Sequence, residues 1–131
     1  MQSLQSLTMR EAYGQALVAL GEANPDVVVL DADVSKSSRS TLFEGRFPER
    51  FFKVGIAEAN MMCVGEAFAA LGYNAWVSTF SPFFDWKVLR RIAVSHQERL
   101  EDMESKGGWL SGGHGLDLTF LATAPNLETK T

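Results

Sequence analysis

The feature that most constrains the fold is the run "DVVVLDAD", residues 26–33. It holds four consecutive apolar residues, three of them valine, with no alternation between apolar and polar positions. A strand with one face in water alternates, whereas a strand covered on both faces reads as a continuous apolar run. The run therefore predicts an inner strand of a parallel sheet, and such a sheet needs helices on both of its faces.

The residues before this run have the pattern of a helix. Apolar residues recur at helical spacing over residues 9–20. Thr8 and Glu11 have the spacing of a capping box, in which each side chain satisfies a free backbone N–H group of the first turn. Gly21 is a residue type at which helices end. The pattern predicts a helix from Thr8 to about Gly21.

Short apolar runs and helical patterns alternate along the rest of the chain. Further strands are predicted over 51–56, 73–80 and 116–124, and further helices over 41–47, 58–72 and 81–106. In the last helix, Ser81 and Pro82 are suited to the N-cap and the first helical position. The alternation predicts an α/β fold with a mostly parallel sheet flanked by helices on both faces.

Length, charge and cysteine content limit the classes of function. The 131 residues fit a single domain, and the net charge of -4 disfavours binding to nucleic acid or to an anionic membrane. Cys63 is the only cysteine, so an intrachain disulfide and a multi-cysteine zinc site are excluded. No apolar run reaches the ~20 residues of a membrane span, and the N-terminus lacks signal-peptide features. We expect a cytoplasmic domain with no metal site of its own.

Acidic and aromatic side chains follow three of the predicted strands. Ligands of parallel α/β sheets bind outside the carboxyl ends of the strands, so these side chains are candidates for a binding site. They are Asp31 and Asp33 after the first strand, Glu58 after the second, and Phe80, Phe83 and Phe84 after the third.

Each of these groups also has a purely structural interpretation. An acid at a helix N-terminus, such as Glu58, gains ~0.3–1 kcal/mol from the helix dipole without any ligand. A half-buried carboxylate could instead hydrogen-bond a ligand nitrogen and take part in proton transfer. The three phenylalanines either pack in the core or present a ring face to a flat heterocycle. Asp31 and Asp33 could simply cap the loop after the strand.

The other reactive residues have structural interpretations by default. The stretch "SKSSRS", residues 35–40, could bind a phosphate through Lys36 and Arg39, but it lacks the glycine pattern of a phosphate loop and is predicted to be a solvated loop. Cys63 is expected to pack within an apolar helix that is buried on most sides. His96 falls on a charged helical surface. His114 lies in the glycine-rich "SGGHGL", and such loops can close over a site.

Three blocks resemble the pyrimidine-binding domain of transketolases in their order and spacing: "VVLDADVSKSS", "FPERFFKVGIAEANMMCVGEAFAALGY" and "AWVSTFSPFF". The resemblance covers residues 8–84 and is closest to the stand-alone C-terminal-section subunits of bacterial transketolase-like proteins. Deoxyxylulose-phosphate synthases and pyruvate dehydrogenase β-type subunits carry similar glutamate blocks. The resemblance implies an α/β fold of the thiamine-diphosphate-binding, pyrimidine-domain type.

The resemblance also implies a role for each matching residue. Glu58 matches the catalytic glutamate that hydrogen-bonds N1′ of the aminopyrimidine of thiamine diphosphate, and this contact favours the tautomer that takes the proton from the thiazolium C2. Phe80 and Phe83 match aromatic residues around the pyrimidine ring, with Phe84 a neighbour. Asp33 matches an acid near the thiazolium. The implied reaction transfers a two-carbon ketol unit from a ketose phosphate to an aldose acceptor.

The resemblance further implies a partner. In this family a separate domain, marked by a Gly-Asp-Gly block that this sequence lacks, holds the diphosphate and the Mg²⁺ ion. We therefore expect residues 1–131 to be one incomplete pyrimidine-binding domain, inactive alone. It would work with a diphosphate-binding subunit of a split transketolase, as a homodimer or heterotetramer, on sugar phosphates.

Two other functions stay open. The sequence around Trp86, Leu89 and Arg90 departs from the arginine and Asp-Gln pair that are usual in the family, so the sugar specificity is open. A non-catalytic assembly or regulatory module with the same fold is one alternative. A subunit of an α-ketoacid dehydrogenase or decarboxylase is the other.

Overall fold

The structure, a computed structural model, describes residues 7–85, 88, 90, 93, 94, 97–101 and 117–123. Its described strands are β1 (Val27–Asp31), β2 (Phe51–Lys53), β3 (Asn74–Phe80) and β4 (Leu118–Thr123). They form one parallel sheet in the order β2-β1-β3-β4. The helices are α1 (Met9–Ala23), α2 (Ser35–Ser38), α3 (Thr41–Arg46) and α4 (Glu58–Ala70), with 3₁₀ turns over Pro48–Arg50 and Ser81–Phe83. The predicted α/β fold is confirmed.

Strand β1 is the inner strand that its sequence predicts. All five of its residues are buried. It pairs with β2 on one side, where Val29 lies opposite Phe51, and with β3 on the other, where Val27 lies opposite Asn74. The pairing brings Asp31, Lys53 and Ser78 to the same level across three strands. The residues that follow each strand therefore emerge at a common edge.

Two apolar cores cover the two faces of the sheet. On one face, Leu17 of α1 and Phe43 of α3 pack against Val27 and Val29. On the other face, Met61 and Met62 of α4 belong to a core with the alternate residues of β1 and β3 and with Val88. Gly65 lets α4 approach the sheet closely, because a Cβ atom there would lie 2.9 Å from Val77.

Helix α1 begins and ends as its sequence predicts. Thr8 and Glu11 form the capping box, and the Asn24 N–H group bonds to the Leu20 carbonyl at the other end. Arg50 completes that end, because its guanidinium donates to the carbonyl oxygens of Gly21 at 2.9 Å and Asn24 at 3.1 Å. The same guanidinium also reaches the Val27 carbonyl at 3.4 Å and lies 3.9 Å from the centre of the Phe47 ring. Arg50 thus ties α1, β1 and the segment before β2 together.

Four local predictions need correction. The stretch "SKSSRS" is not a solvated loop, because residues 35–38 form α2 and Ser38 and Ser40 are buried. Strand β2 stops at Lys53, since Gly55 has a φ of 74° and turns the chain away. Ser81 is not the cap of a long helix, because it is the first residue of the 3₁₀ turn Ser81–Phe83. The Asp85 carboxylate accepts from Val88 N–H at 3.1 Å.

The fourth correction concerns α4. This helix is not buried on most sides, since only one face lies against the sheet. Cys63 and Ala67 on its outer face are exposed, so Cys63 is not a packing residue within this chain.

Several sequence predictions fall outside the described residues. These are His96, Trp86 and the glycine-rich loop that contains His114. Among the described residues, no helix is both long and apolar enough to cross a membrane.

Replacing Arg50 by Ala should lower the free energy of unfolding by ~3 kcal/mol, because three carbonyl oxygens lose a charged donor. Urea unfolding measures this loss. Arg46→Ala is the matched control, since Arg46 also contacts the Phe47 ring but makes only an exposed ion pair with Glu22 at 3.3 Å. That variant should lose less than ~1 kcal/mol. Equal losses in the two variants would contradict the assigned role of Arg50.

Candidate functional site at the carboxyl edge of the sheet

A cavity of about 400 Å³ opens at the carboxyl ends of β1 and β2. Its wall is mainly polar and comes from three segments: the end of β1, the α2 region and the end of β2. The lining residues are Asp31, Asp33, Val34, Ser35, Lys36, Ser37, Lys53 and Gly55. The two aspartates balance the charge of the two lysines, and the lysines and serine hydroxyl groups can donate hydrogen bonds to an oxygen-rich ligand such as a phosphate group.

Asp33 lies at this cavity, as its position after β1 predicts. It is exposed and has a φ of 63°, a left-handed conformation that is uncommon for residues other than glycine. Gly55 on the opposite side of the cavity also has a positive φ. At Asp33 and at Gly55 the chain turns shortly after a strand, and the cavity lies between these two turns.

Lys53 is a cavity residue that the sequence analysis missed. Its ammonium pairs with the Glu44 carboxylate of α3 at 2.7 Å, and the hydrogen bond from this partner raises the pKa of Lys53. Lys36 was considered as a phosphate ligand and rejected, because residues 35–40 were interpreted as a solvated loop. The position of Lys53 could have predicted its place at the cavity, because Lys53 ends a parallel strand at the same edge of the sheet as Asp31.

Asp31 is buried beneath the cavity and caps the chain that follows β1. Its Oδ1 accepts from the Val34 N–H group at 2.7 Å, and its Oδ2 accepts from Ser40 Oγ at 3.5 Å. Burial raises the pKa of Asp31, while the hydrogen bonds from Val34, Ser35 and Ser40 oppose the shift. The loop-capping interpretation of Asp31 is therefore the one that the structure shows.

Glu58 is the first residue of α4 and is partly buried. Within the described part of the chain, its carboxylate has neither a hydrogen bond nor an ion pair. Glu58 follows Gly55 by three residues but is not a lining residue of the cavity. The Glu58 carboxylate can therefore accept a hydrogen bond from a ligand at the sheet edge.

The three phenylalanines after β3 separate into two groups. Phe80 and Phe83 form a pair with ring centres 5.9 Å apart and planes tilted by 49°. The Phe83 side chain is 47% exposed, so part of its ring faces solvent. Phe84 instead packs against the core under α4 and meets Phe120 edge-on at 6.1 Å. Phe80 and Phe83 can offer an aromatic surface, whereas Phe84 belongs to the packing beneath it.

The described residues contain no cluster of three or more His, Cys, Asp or Glu side chains that could hold a metal ion. They do contain a carboxylate, an aromatic pair and a cavity lined by lysine, aspartate and serine residues at one sheet edge. These groups can accept a hydrogen bond, cover a flat ring and hold an anion.

Comparison with known proteins identifies the family of this domain. The sequence profile of the transketolase pyrimidine-binding domain matches residues 5–122. The chain belongs to this family. The resemblance noted in the sequence is confirmed, and so is the fold type that it implies.

The relatives of this pyrimidine-binding domain include a transketolase section and two kinds of longer protein. A transketolase C-terminal section from Methanocaldococcus jannaschii is 32% identical over 128 residues, which are 91% of this chain and 40% of that protein. Transketolase-like protein 2 from Mus musculus is 46% identical over 129 residues, 92% of this chain and 20% of that protein. A 1-deoxy-D-xylulose-5-phosphate synthase from Dictyoglomus thermophilum is 40% identical over 128 residues, 92% of this chain and 21% of that protein.

A solved structure shares the fold of this domain. It is a split-gene transketolase, described as an inactive β4 tetramer, with a TM-score of 0.59 and 38% identity. The similarity covers 86% of this chain and 33% of that one. The domain therefore spans 40% or less of the length of each of these relatives.

The raised pKa of Asp31 predicts a pH dependence of stability. A carboxyl group with a raised folded pKa gives its full stabilisation below the unfolded value of 3.8, and loses it as the pH rises through the folded value. Asp31→Asn cannot titrate. The stability of the wild type relative to Asp31→Asn should therefore increase as the pH falls from 7 to 4. Urea unfolding of both proteins across this range measures the difference, and a constant difference would contradict the prediction.

Proposed function

We propose that this chain is the pyrimidine-binding part of a thiamine-diphosphate-dependent, transketolase-like enzyme. The enzyme transfers a two-carbon ketol unit between sugar phosphates. The observation that carries the proposal is the Glu58 carboxylate, which lies at the sheet edge without a partner among the described residues of a chain in this family.

The residues present fit an aminopyrimidine ring. Such a ring needs a hydrogen-bond acceptor for a protonated ring nitrogen and an apolar surface for its face. Glu58 supplies the acceptor, and the exposed ring of Phe83 beside Phe80 supplies the surface. Phe84 holds the chain after β3 in place through its contact with Phe120. We assign Phe84 a supporting position rather than a ring contact.

Glu58 is the catalytic residue of this proposal. When bound, thiamine diphosphate supplies the carbon nucleophile that carries the two-carbon unit. The Glu58 carboxylate would hydrogen-bond the protonated pyrimidine nitrogen N1′ and so would favour one tautomer of the ring. Phe80 and Phe83 exclude water from one side of the ring, which strengthens that hydrogen bond. Asp33, exposed at the cavity, would be the acid near the thiazolium ring.

The cavity supports a phosphorylated substrate. Lys36, Lys53 and the hydroxyl groups of Ser35 and Ser37 can bind the phosphate oxygens of a sugar phosphate. An α-ketoacid such as pyruvate carries one carboxylate and no phosphate, so it would use fewer of the hydrogen-bond donors that line the cavity. We therefore prefer ketol transfer to α-ketoacid chemistry. Assaying the assembled complex with xylulose 5-phosphate and with pyruvate separates the two reactions.

The proposed enzyme needs a partner subunit. The diphosphate and the Mg²⁺ ion would be held by a diphosphate-binding subunit. The relationship to a transketolase C-terminal section and to a split-gene transketolase supports this division. The complex would work in the cytoplasm. The isolated chain would be inactive.

Replacing Glu58 by Gln should abolish ketol transfer in the reconstituted complex of this chain, a diphosphate-binding subunit, thiamine diphosphate and magnesium. We expect a loss of ~100-fold or more, because a neutral amide cannot hold the shared proton. Glu49→Gln is the control, as this exposed acid precedes β2, at the opposite edge of the sheet. Unchanged transfer by the Glu58 variant would exclude Glu58 from catalysis.

The outer face of α4 supports the second function, an assembly module. Cys63 and Ala67 lie one turn apart on this face, with the exposed Leu71 a further turn on and the exposed Ile56 before the helix. An apolar stripe of this length suits contact with a second copy of the chain. The split-gene relative is described as a tetramer, which supports the same assignment. Self-association and catalysis are compatible, since the stripe does not include Glu58.

Ala67→Glu should therefore reduce the oligomeric state, because it places a charge in the centre of the contact. Sedimentation velocity should show the wild type as a dimer or tetramer and this variant as a smaller species. Ala16→Glu is the matched control, with the same substitution at an exposed position of α1 on the other face of the sheet. A monomeric wild type, or an equal effect of both substitutions, would contradict the proposed contact.

A further inference from the structure

A buried polar cluster lies beneath the cavity, and the proposed reaction does not use it. It occupies the α1 face of the sheet, between α1, α2 and the ends of β1 and β3. Its members are Tyr13, Asp31, Ser38, Ser40 and Ser78; the last four are at most 1% exposed. Tyr13 and Ser78 share a hydrogen bond of 2.9 Å, and Ser38 Oγ donates to Ser40 Oγ at 3.0 Å. Buried polar groups are costly unless they are paired, so the cluster has a structural reason.

Asp31 is the member that connects this cluster to the cavity wall. Its carboxylate accepts from the backbone N–H groups of Val34 and Ser35 at the start of α2. It also accepts from the Ser40 hydroxyl group, which lies beyond the end of α2. One carboxylate on β1 therefore holds both ends of the segment that contains α2.

That segment cannot hold its position alone. Helix α2 has four residues, far fewer than an independently stable helix needs. It is bounded by two non-glycine residues with positive φ, Asp33 at 63° and Arg39 at 64°. Such conformations persist only where the surrounding contacts impose them. The other side of the segment carries Lys36 and Ser37 into the cavity wall.

We propose that Asp31 is a positioning residue for the cavity, fixing α2 so that Lys36 and Ser37 face the phosphate group of the substrate. The proposal rests on the proposed function of the cavity. Asp31 is only 1% exposed, so it acts through the α2 segment rather than on the ligand. Asp31 interacts electrostatically with three other titratable groups, which are Asp33, Lys53 and Tyr13.

Two substitutions separate the hydrogen-bonding role of Asp31 from its volume and charge. Asp31→Ala removes both acceptors and releases the α2 segment. Asp31→Asn keeps one carbonyl oxygen for Val34 N–H and has an amide that can donate to Ser40 Oγ. Ser78→Ala is the matched control. Ser78 lies opposite Asp31 in the sheet and is equally buried, but it does not line the cavity. The substitution removes only its hydrogen bond with Tyr13.

The first measurement uses the complex assembled with the diphosphate-binding subunit. Asp31→Ala should raise the KM for the sugar phosphate ~10-fold or more, with kcat within about twofold, because small displacements of binding groups weaken ligand contacts strongly. Asp31→Asn should restore most of the lost affinity, and Ser78→Ala should leave KM unchanged. An unchanged KM in Asp31→Ala, or an equal rise in Ser78→Ala, would overturn the proposal.

The second measurement needs no activity and uses the full chain alone. Amide hydrogen exchange should show that Asp31→Ala loses protection at residues 34–40, while Asp31→Asn retains it and Ser78→Ala leaves it unchanged. If Asp31→Ala does not fold, Ser40→Ala replaces it, with a smaller loss over the same residues. Unchanged protection overturns the positioning role. If Asp31→Ala loses protection at residues 34–40 but the wild-type complex shows no ketol transfer, the positioning role stands and the proposed function of the cavity is refuted.

Discussion

The structure depends on the position of β1 between two parallel neighbours. Strand β1 lies inside a parallel sheet, and such sheets are covered by helices on both faces; here α1 and α4 provide the cover. Parallel pairing also places the carboxyl ends of β1, β2 and β3 at one edge. A single physical constraint therefore produces both the two-sided core and the common edge at which the cavity, Glu58 and the phenylalanine pair occur.

The same edge is where polar groups replace apolar ones. Along β1, Val27 and Val29 pack under α1, and the next residue on that face is the buried carboxylate of Asp31. A buried carboxylate is tolerated because backbone N–H groups and a serine hydroxyl group satisfy it. The change from packing to hydrogen bonding within one strand marks the boundary between the core and the site. The Asp31 carboxylate also holds the short α2 in position, because it accepts hydrogen bonds from residues on both sides of that helix.

Much of the fold could be predicted from the sequence because its signals are local. The capping box of α1, the unbroken apolar run of β1 and the helical spacing of α4 each lie within about fifteen residues. The predictions failed where the deciding contact is distant in the chain. Residues 35–40 look solvated, yet Ser38 and Ser40 are buried by their bond network to Asp31. Lys53 looks like an ordinary strand residue until the pairing of β1 and β2 brings it beside Asp33 and Lys36.

The sequence by itself determined the family, the parallel α/β architecture and which residues follow the strand ends, because residue order and periodicity are sufficient for these. Only the tertiary structure decided which of them share a site. It paired Phe80 with Phe83 and directed Phe84 into the core, although the three are nearly adjacent in sequence. It also left the outer face of α4 exposed. The physical reason is that burial and pairing depend on which distant segments pack together, and the residues of one segment do not specify this.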